Sequence, residues 1–170
     1  MNIIRVALYI LLSMIAISSC AQWKPVVKKS YAYLLVTHAG MIAVDDNGNP
    51  RSNGVHTSHF IYIETEATAT PQWEAALLNK NVYSVTAAPL SQKTLQVGFS
   101  KADEPIIIKP ATGNKLWRID LGEIIKNRKM EDYVKKQISA GSIILLGKMN
   151  NKSFTHTIAN QTELRPIQGE

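Results

Sequence analysis

Beyond residue 30 the chain is cut at short intervals by turn-forming residues, and this punctuation limits what it can fold into. Tyr31 to Val44 (YAYLLVTHAGMIAV) and Val55 to Ile63 (VHTSHFIYI) are rich in β-branched and aromatic residues. Between them lies Asp45 to Gly54 (DDNGNPRSNG), a concentration of turn formers, so the segment predicts a β-hairpin in which Val44 opposes Val55. Gly40 within the first run marks a bulge or a close backbone approach. Val82 to Ala88, Thr94 to Phe99, Ile106 to Lys109, Leu116 to Leu121, Ser142 to Lys148 and Ser153 to Ile158 follow as strands. Pro89, Lys101 to Pro105, Pro110 to Asn114 and Asn150-Asn151 separate them. Short strands at this spacing predict an antiparallel sheet, a sandwich or a small barrel.

Two stretches read as helices instead. Thr70 is placed as an N-cap, with Pro71 in the first helical position, Glu74 in the first turn, Trp73, Leu77 and Leu78 as a buried stripe, and Asn79 or Asn81 as the end. Met130, Tyr133, Val134, Gln137 and Ile138 repeat at helical spacing, and Gly141 is placed to terminate that helix. The expected class is therefore α+β: a single domain over residues 31–170, dominated by antiparallel strands, with one or two helices. The chain has 170 residues, 45% of them hydrophobic and 19% charged, which suits one globular core and excludes collagenous, disordered and polytopic membrane classes. Its one cysteine, Cys20, excludes an internal disulfide and a Cys-only zinc site, so burial has to hold the fold together.

The first 20 residues follow a different logic. Asn2 to Arg5 forms a short n-region with one positive charge, and Val6 to Ile17 (VALYILLSMIAI) an apolar stretch of 12 residues, below the roughly 20 needed to cross a bilayer as a helix. Ile17-Ser18-Ser19-Cys20 closes it with an aliphatic residue, two small residues and the cysteine. This segment resembles the lipobox signal peptide of bacterial lipoproteins. The resemblance implies that residues 1–19 are removed, that Cys20 is linked through a thioether to diacylglycerol, and that its new amino group is acylated with a chain such as palmitate. Residues 20–30 then form the lipidated cysteine and a lysine-rich tether. No acidic residue adjoins the cysteine, which by the same resemblance implies an outer-membrane lipoprotein facing the periplasm. Ser19-Cys20-Ala21 also reads as a small-x-small site for ordinary secretory cleavage, which would leave a soluble secreted or periplasmic chain starting at Gln22. Two or three acyl chains anchor a domain stably where one does so marginally, and nothing after Cys20 is long and apolar enough to span.

The net charge of +6 comes from 19 basic and 13 acidic side chains, and it is uneven. From Cys20 to Glu104 there are seven of each sign; from Pro105 onward there are eleven basic and six acidic. An exported chain rarely meets nucleic acid, so the expected counter-charges are anionic headgroups, lipopolysaccharide phosphates or an acidic partner protein, and no nucleic acid. Lys126, Arg128, Lys129, Lys135 and Lys136 crowd the second helix and form the candidate surface for an anion or partner, which Lys115 and Arg118 beside Trp117 would extend. The same residues also read as a solvated helix face, supported by Glu131–Lys135 and Asp132–Lys136 pairs.

Other chemistry is weakly signalled. His38 and His59 share one face if the hairpin takes the expected register, which makes them the candidate metal ligands; no carboxylate at suitable spacing joins them, so solvent-facing or hydrogen-bonded histidines are the simpler reading. Asp45 to Asn49 resembles a calcium loop only superficially, since Pro50 stands where glycine is required and His56 where the bidentate glutamate is required. A hairpin turn accounts for the same residues. Gly141 to Lys148 (GSIILLGK) has the wrong glycine spacing for a phosphate loop and Met149 where a hydroxyl would hold magnesium. No nucleophile elbow occurs, no catalytic residue is assigned, and no cofactor is expected. Two classes of function remain. The first is a non-enzymatic, lipid-anchored envelope protein acting as a binding or accessory module for an envelope protein or anionic envelope component. The second is a small envelope hydrolase or metal-dependent enzyme whose site assembles only in three dimensions, from His38, His59 and Asp45 or Asp46.

Overall fold

The computed structural model describes residues 26–38, 45–49, 54–126 and 141–166, and every regular element in them is a strand. These are β1 (Val27–His38), β2 (Val55–Glu66), β3 (Gln72–Leu78), β4 (Asn81–Leu90), β5 (Leu95–Phe99), β6 (Pro105–Ile108), β7 (Asn114–Ile124), β8 (Ile143–Met149), β9 (Lys152–Ile158) and β10 (Thr162–Leu164). Eight of them form one sheet in the order β10-β1-β2-β7-β4-β3-β8-β9, while β5 and β6 form a separate hairpin. Every neighbouring pair is antiparallel except β1 with β10, which run parallel.

The sheet curls into a half-barrel, so that β9 approaches β1. Its concave face carries the main core. Ala32, Ile61, Ile63, Ala76, Leu78, Trp117, Ile119, Ile143, Leu145 and Ile158 pack there, gathering side chains from strands at both ends of the sheet order. The period of two along each strand sends the alternate residues to the convex face, where they form two further clusters. At one end Tyr33, Tyr62, Leu116 and Leu164 are covered by Ile108 and its neighbours on the β5–β6 hairpin. At the other, Ala75, Leu77, Val82 and Ile144 pack together, with Ile125 and Leu146 at their margin. Both faces are thus buried over Ile61–Ile63 of β2 and Ile143–Leu145 of β8, and there the sequence is continuously apolar.

Four expectations are corrected. The stretch from Thr70 to Asn81 is not a helix: it contains β3, which pairs with β4 and β8. Ala75 to Leu78 are all buried on alternate faces, an arrangement that a strand between two neighbours satisfies and a one-sided helix does not. Asn79 and Lys80, instead of ending a helix, both take positive φ and make the two-residue turn of the β3–β4 hairpin. The first hairpin exists, but His38, not Val44, pairs with Val55, and β1 starts at Val27 within the segment expected to be tether. Buried Val26 and Val27 draw these residues into the fold. Finally, Pro89 lies inside β4, paired with Trp117; beyond Tyr83 β4 has left β3, so the side of the strand that lacks an N–H donor faces no ladder. The second expected helix, from Met130 to Ile138, lies outside the described residues. Gly141, at φ +81°, precedes β8.

Candidate functional site

The structure separates most of the residues that the sequence grouped together. In the expected register Gly40 faces His59 and His38 lies diagonal to it; instead Leu34 pairs with His59, and His38 sits four positions further along β1, about 13 Å away at 3.3 Å per residue. His59 Nδ1 shares a 2.7 Å hydrogen bond with Gln161 Oε1, whose Nε2 donates to the Gly141 carbonyl oxygen at 2.8 Å. Asp45 is occupied by its own turn: Oδ1 accepts from the amides of Asn47 at 2.9 Å and Asn49 at 2.8 Å, and the Asn49 amide bond leads the causes that hold its carboxyl below the usual range. That is the self-capped turn expected of the sequence, not an open cation loop. Among the described residues no three His, Cys, Asp or Glu side chains come together to hold a metal.

Of the basic group, Lys126 is exposed just past the end of β7, and Arg128, Lys129, Lys135 and Lys136 lie outside the described residues, as does Cys20. Lys115 and Arg118 do not extend one patch with Lys126. Lys115 starts β7 and stacks its ammonium 4.8 Å from the centre of the Trp117 ring. Arg118 faces the opposite side of the sheet and pairs with Asp120 at 2.8 Å.

Instead, Lys115 faces a cleft of about 570 Å³ together with Lys93 and Lys109. The floor is the turn from Pro110 to Asn114 that links β6 to β7, and Ser91, Gln92 and Thr112 supply neutral polar groups. Among the described residues no acidic side chain lines the cleft, and none of the three lysines has an ion-pair partner. The turn is held from beneath by Glu64, which is fully buried on β2: its Oε1 accepts from the Ala111 amide at 2.9 Å and from Asn114 Nδ2 at 2.6 Å. Tyr31 lies close enough that burial first, and then the Glu64 charge, pushes its hydroxyl pKa up. Glu64 thus acts as an internal strut for the cleft floor. Three separated lysines in the sequence gave no sign of this convergence; only the β6–β7 turn brings them together.

A second opening lies between β2 and β7. Their ladder runs from Glu66↔Asn114 to Ile61↔Ile119 and stops there, although β2 continues to Val55 and β7 to Ile124. The gap holds about 580 Å³ and is lined by Ser58, His59, Phe60, Tyr83, Asp120 and Leu121, among others. Comparison of the chain with protein-family models, with curated proteins and with solved structures finds no match to any of them.

Proposed function

We propose that this chain is a non-enzymatic, lipid-anchored protein of the bacterial cell envelope, held to the membrane through Cys20, whose domain binds an anionic envelope component in the lysine-lined cleft. The observation that carries this reading is that Lys93, Lys109 and Lys115 line one cleft whose wall, among the described residues, holds no carboxylate. Three lysines lining one cleft favour an anionic headgroup or phosphate there, which Ser91, Gln92 and Thr112 can supply with further donors. The lipobox-like segment supports the address, because it would hold the cleft within reach of anionic lipids and lipopolysaccharide. The enzyme reading has less support: His38, His59 and the Asp45–Asp46 turn do not converge.

The test is co-sedimentation of the full chain with phosphatidylglycerol vesicles and with purified lipopolysaccharide at low and physiological salt. Lys93→Glu, Lys109→Glu and Lys115→Glu combined should weaken binding at least tenfold, and raised salt should weaken the wild type. Unchanged binding by the triple variant removes the cleft from the reading. Intact mass of membrane-fraction protein tests the anchor: a chain starting unmodified at Gln22 overturns it.

A further inference from the structure

The parting of β2 from β7 leaves two strand edges facing one another. β1 covers the far edge of β2 as far as His38↔Val55, and β4 covers the far edge of β7 as far as Tyr83↔Ile124, so each strand is held extended on one side only. Between Ile61 and His56 on β2, and between Ile119 and Ile124 on β7, the inner edges meet no ladder partner among the described residues. A second parting, of β3 from β4 beyond Tyr83, has Trp73, Val85 and Ala87 packed on the core beside it. The β2–β7 fork instead encloses open space of about 580 Å³.

We infer that this fork is a docking site for an extended peptide segment of a partner protein, which enters as an added strand. Unpaired N–H and C=O groups on an exposed strand edge are templates for such addition, and here they are offered from two sides at once. The lining fits a strand and sets its pattern. Leu121 and Tyr83 pack toward the concave core, and His59 shares their side of the sheet by the alternation that places Ile61 and Ile63 there. Phe60, Arg118 and Asp120 stand on the convex side, where Arg118 and Asp120 already pair with each other. An incoming strand would therefore place apolar residues inward on every second position and polar residues outward. Gly122 narrows neither face, since it has no side chain. At about 3.3 Å per residue the open edges span about 16 Å, room for about five peptide residues. Ile124 at the mouth, 49% exposed, gives an entering strand a first apolar contact. This inference is independent of the lysine-lined cleft, which lies at the other end of β7.

The test uses the full chain and a panel of synthetic heptapeptides that alternate apolar and polar residues, matched with versions N-methylated at alternate amides and versions carrying Asp at the apolar positions. Binding followed by fluorescence anisotropy should be at least tenfold weaker for both altered series in the peptides that bind best. Amide exchange in the bound state should slow at the fork-facing positions within His56–Phe60 and Asp120–Ile124, and not at the Lys93 cleft. Three results overturn the proposal: no peptide of the panel binds, N-methylation makes no difference, or the fork amides are as protected in the free chain as those of the paired stretch. Protection of the free chain that grows with its concentration assigns the fork to a second copy; protection at every concentration assigns it to the chain itself.

Discussion

His156 on β9 is the residue whose chemistry is least at ease with its surroundings. It pairs across from Leu145 on β8, its Nε2 is buried without a hydrogen-bond partner among the described residues, and burial holds the imidazole below its ordinary value. Between that lowered value and the ordinary one near 6.5, the unfolded chain takes up a proton that the folded chain does not, so stability falls as pH drops through this window. Urea midpoints for the wild type should therefore fall between pH 7 and pH 5, and His156→Leu should flatten that fall and be the more stable protein at pH 5. Equal pH dependence in the two would show that His156 is not the source. Glu64 is the contrasting case, a buried carboxylate whose two donors justify it by fixing a turn. Neither situation is visible in the sequence. Glu64 stands in a run, YIETE, that gives no hint that it is buried and Glu66 is not, because the loop that covers it comes from nearly 50 residues away.

At the scale of elements, the sequence marks turns better than registers. Asn150 and Asn151 both adopt positive φ in the two-residue turn between β8 and β9, as that pair of residues suggests. The equivalent turn at Asn79-Lys80 is hidden, because lysine is a poor signal for the left-handed region and the flanking WEAALL reads as helix by propensity. Pairing with β4 on one side and β8 on the other overrides that propensity. Lys80 at φ +68° accordingly carries a local cost, and Lys80→Gly should stabilise the protein by about 0.5–1 kcal/mol, read as a higher denaturation midpoint at unchanged slope. The register of β1 with β2 was beyond reach for a related reason. Both strands alternate well enough to pair in several offsets, and the observed one is selected by burial of Val27 and Ala32 on one face and Tyr33 on the other.

For the molecule as a whole, the strand-dominated class was readable from spacing, whereas the curl and the two openings were not, since they follow from where ladders stop. The covering of the convex face depends on a small element. β10 is three residues long, yet Leu164 is 3% exposed within the cluster that joins the sheet to the β5–β6 hairpin. The Arg165 amide donates to the Phe99 carbonyl at 2.9 Å, Lys101 pairs with Glu163 at 2.6 Å, and Arg165 pairs with Asp103. Leu164→Ala should cost about 2–5 kcal/mol and should release the hairpin amides to solvent exchange before the rest of the sheet unfolds. Loss of stability with undiminished hairpin protection would show that the hairpin is held by other contacts.

The parallel seam between β1 and β10 sets the order in which this chain can be finished. Tyr33 finds its neighbour at Thr162, so the first strand waits for a partner made about 130 residues later. Closing such a distant pairing is slow, and until Leu164 has been made the cluster around the tyrosines of β1 and β2 is covered by the β5–β6 hairpin alone, without its last apolar member. The β1–β10 seam can therefore close only after every other strand of the sheet has been made.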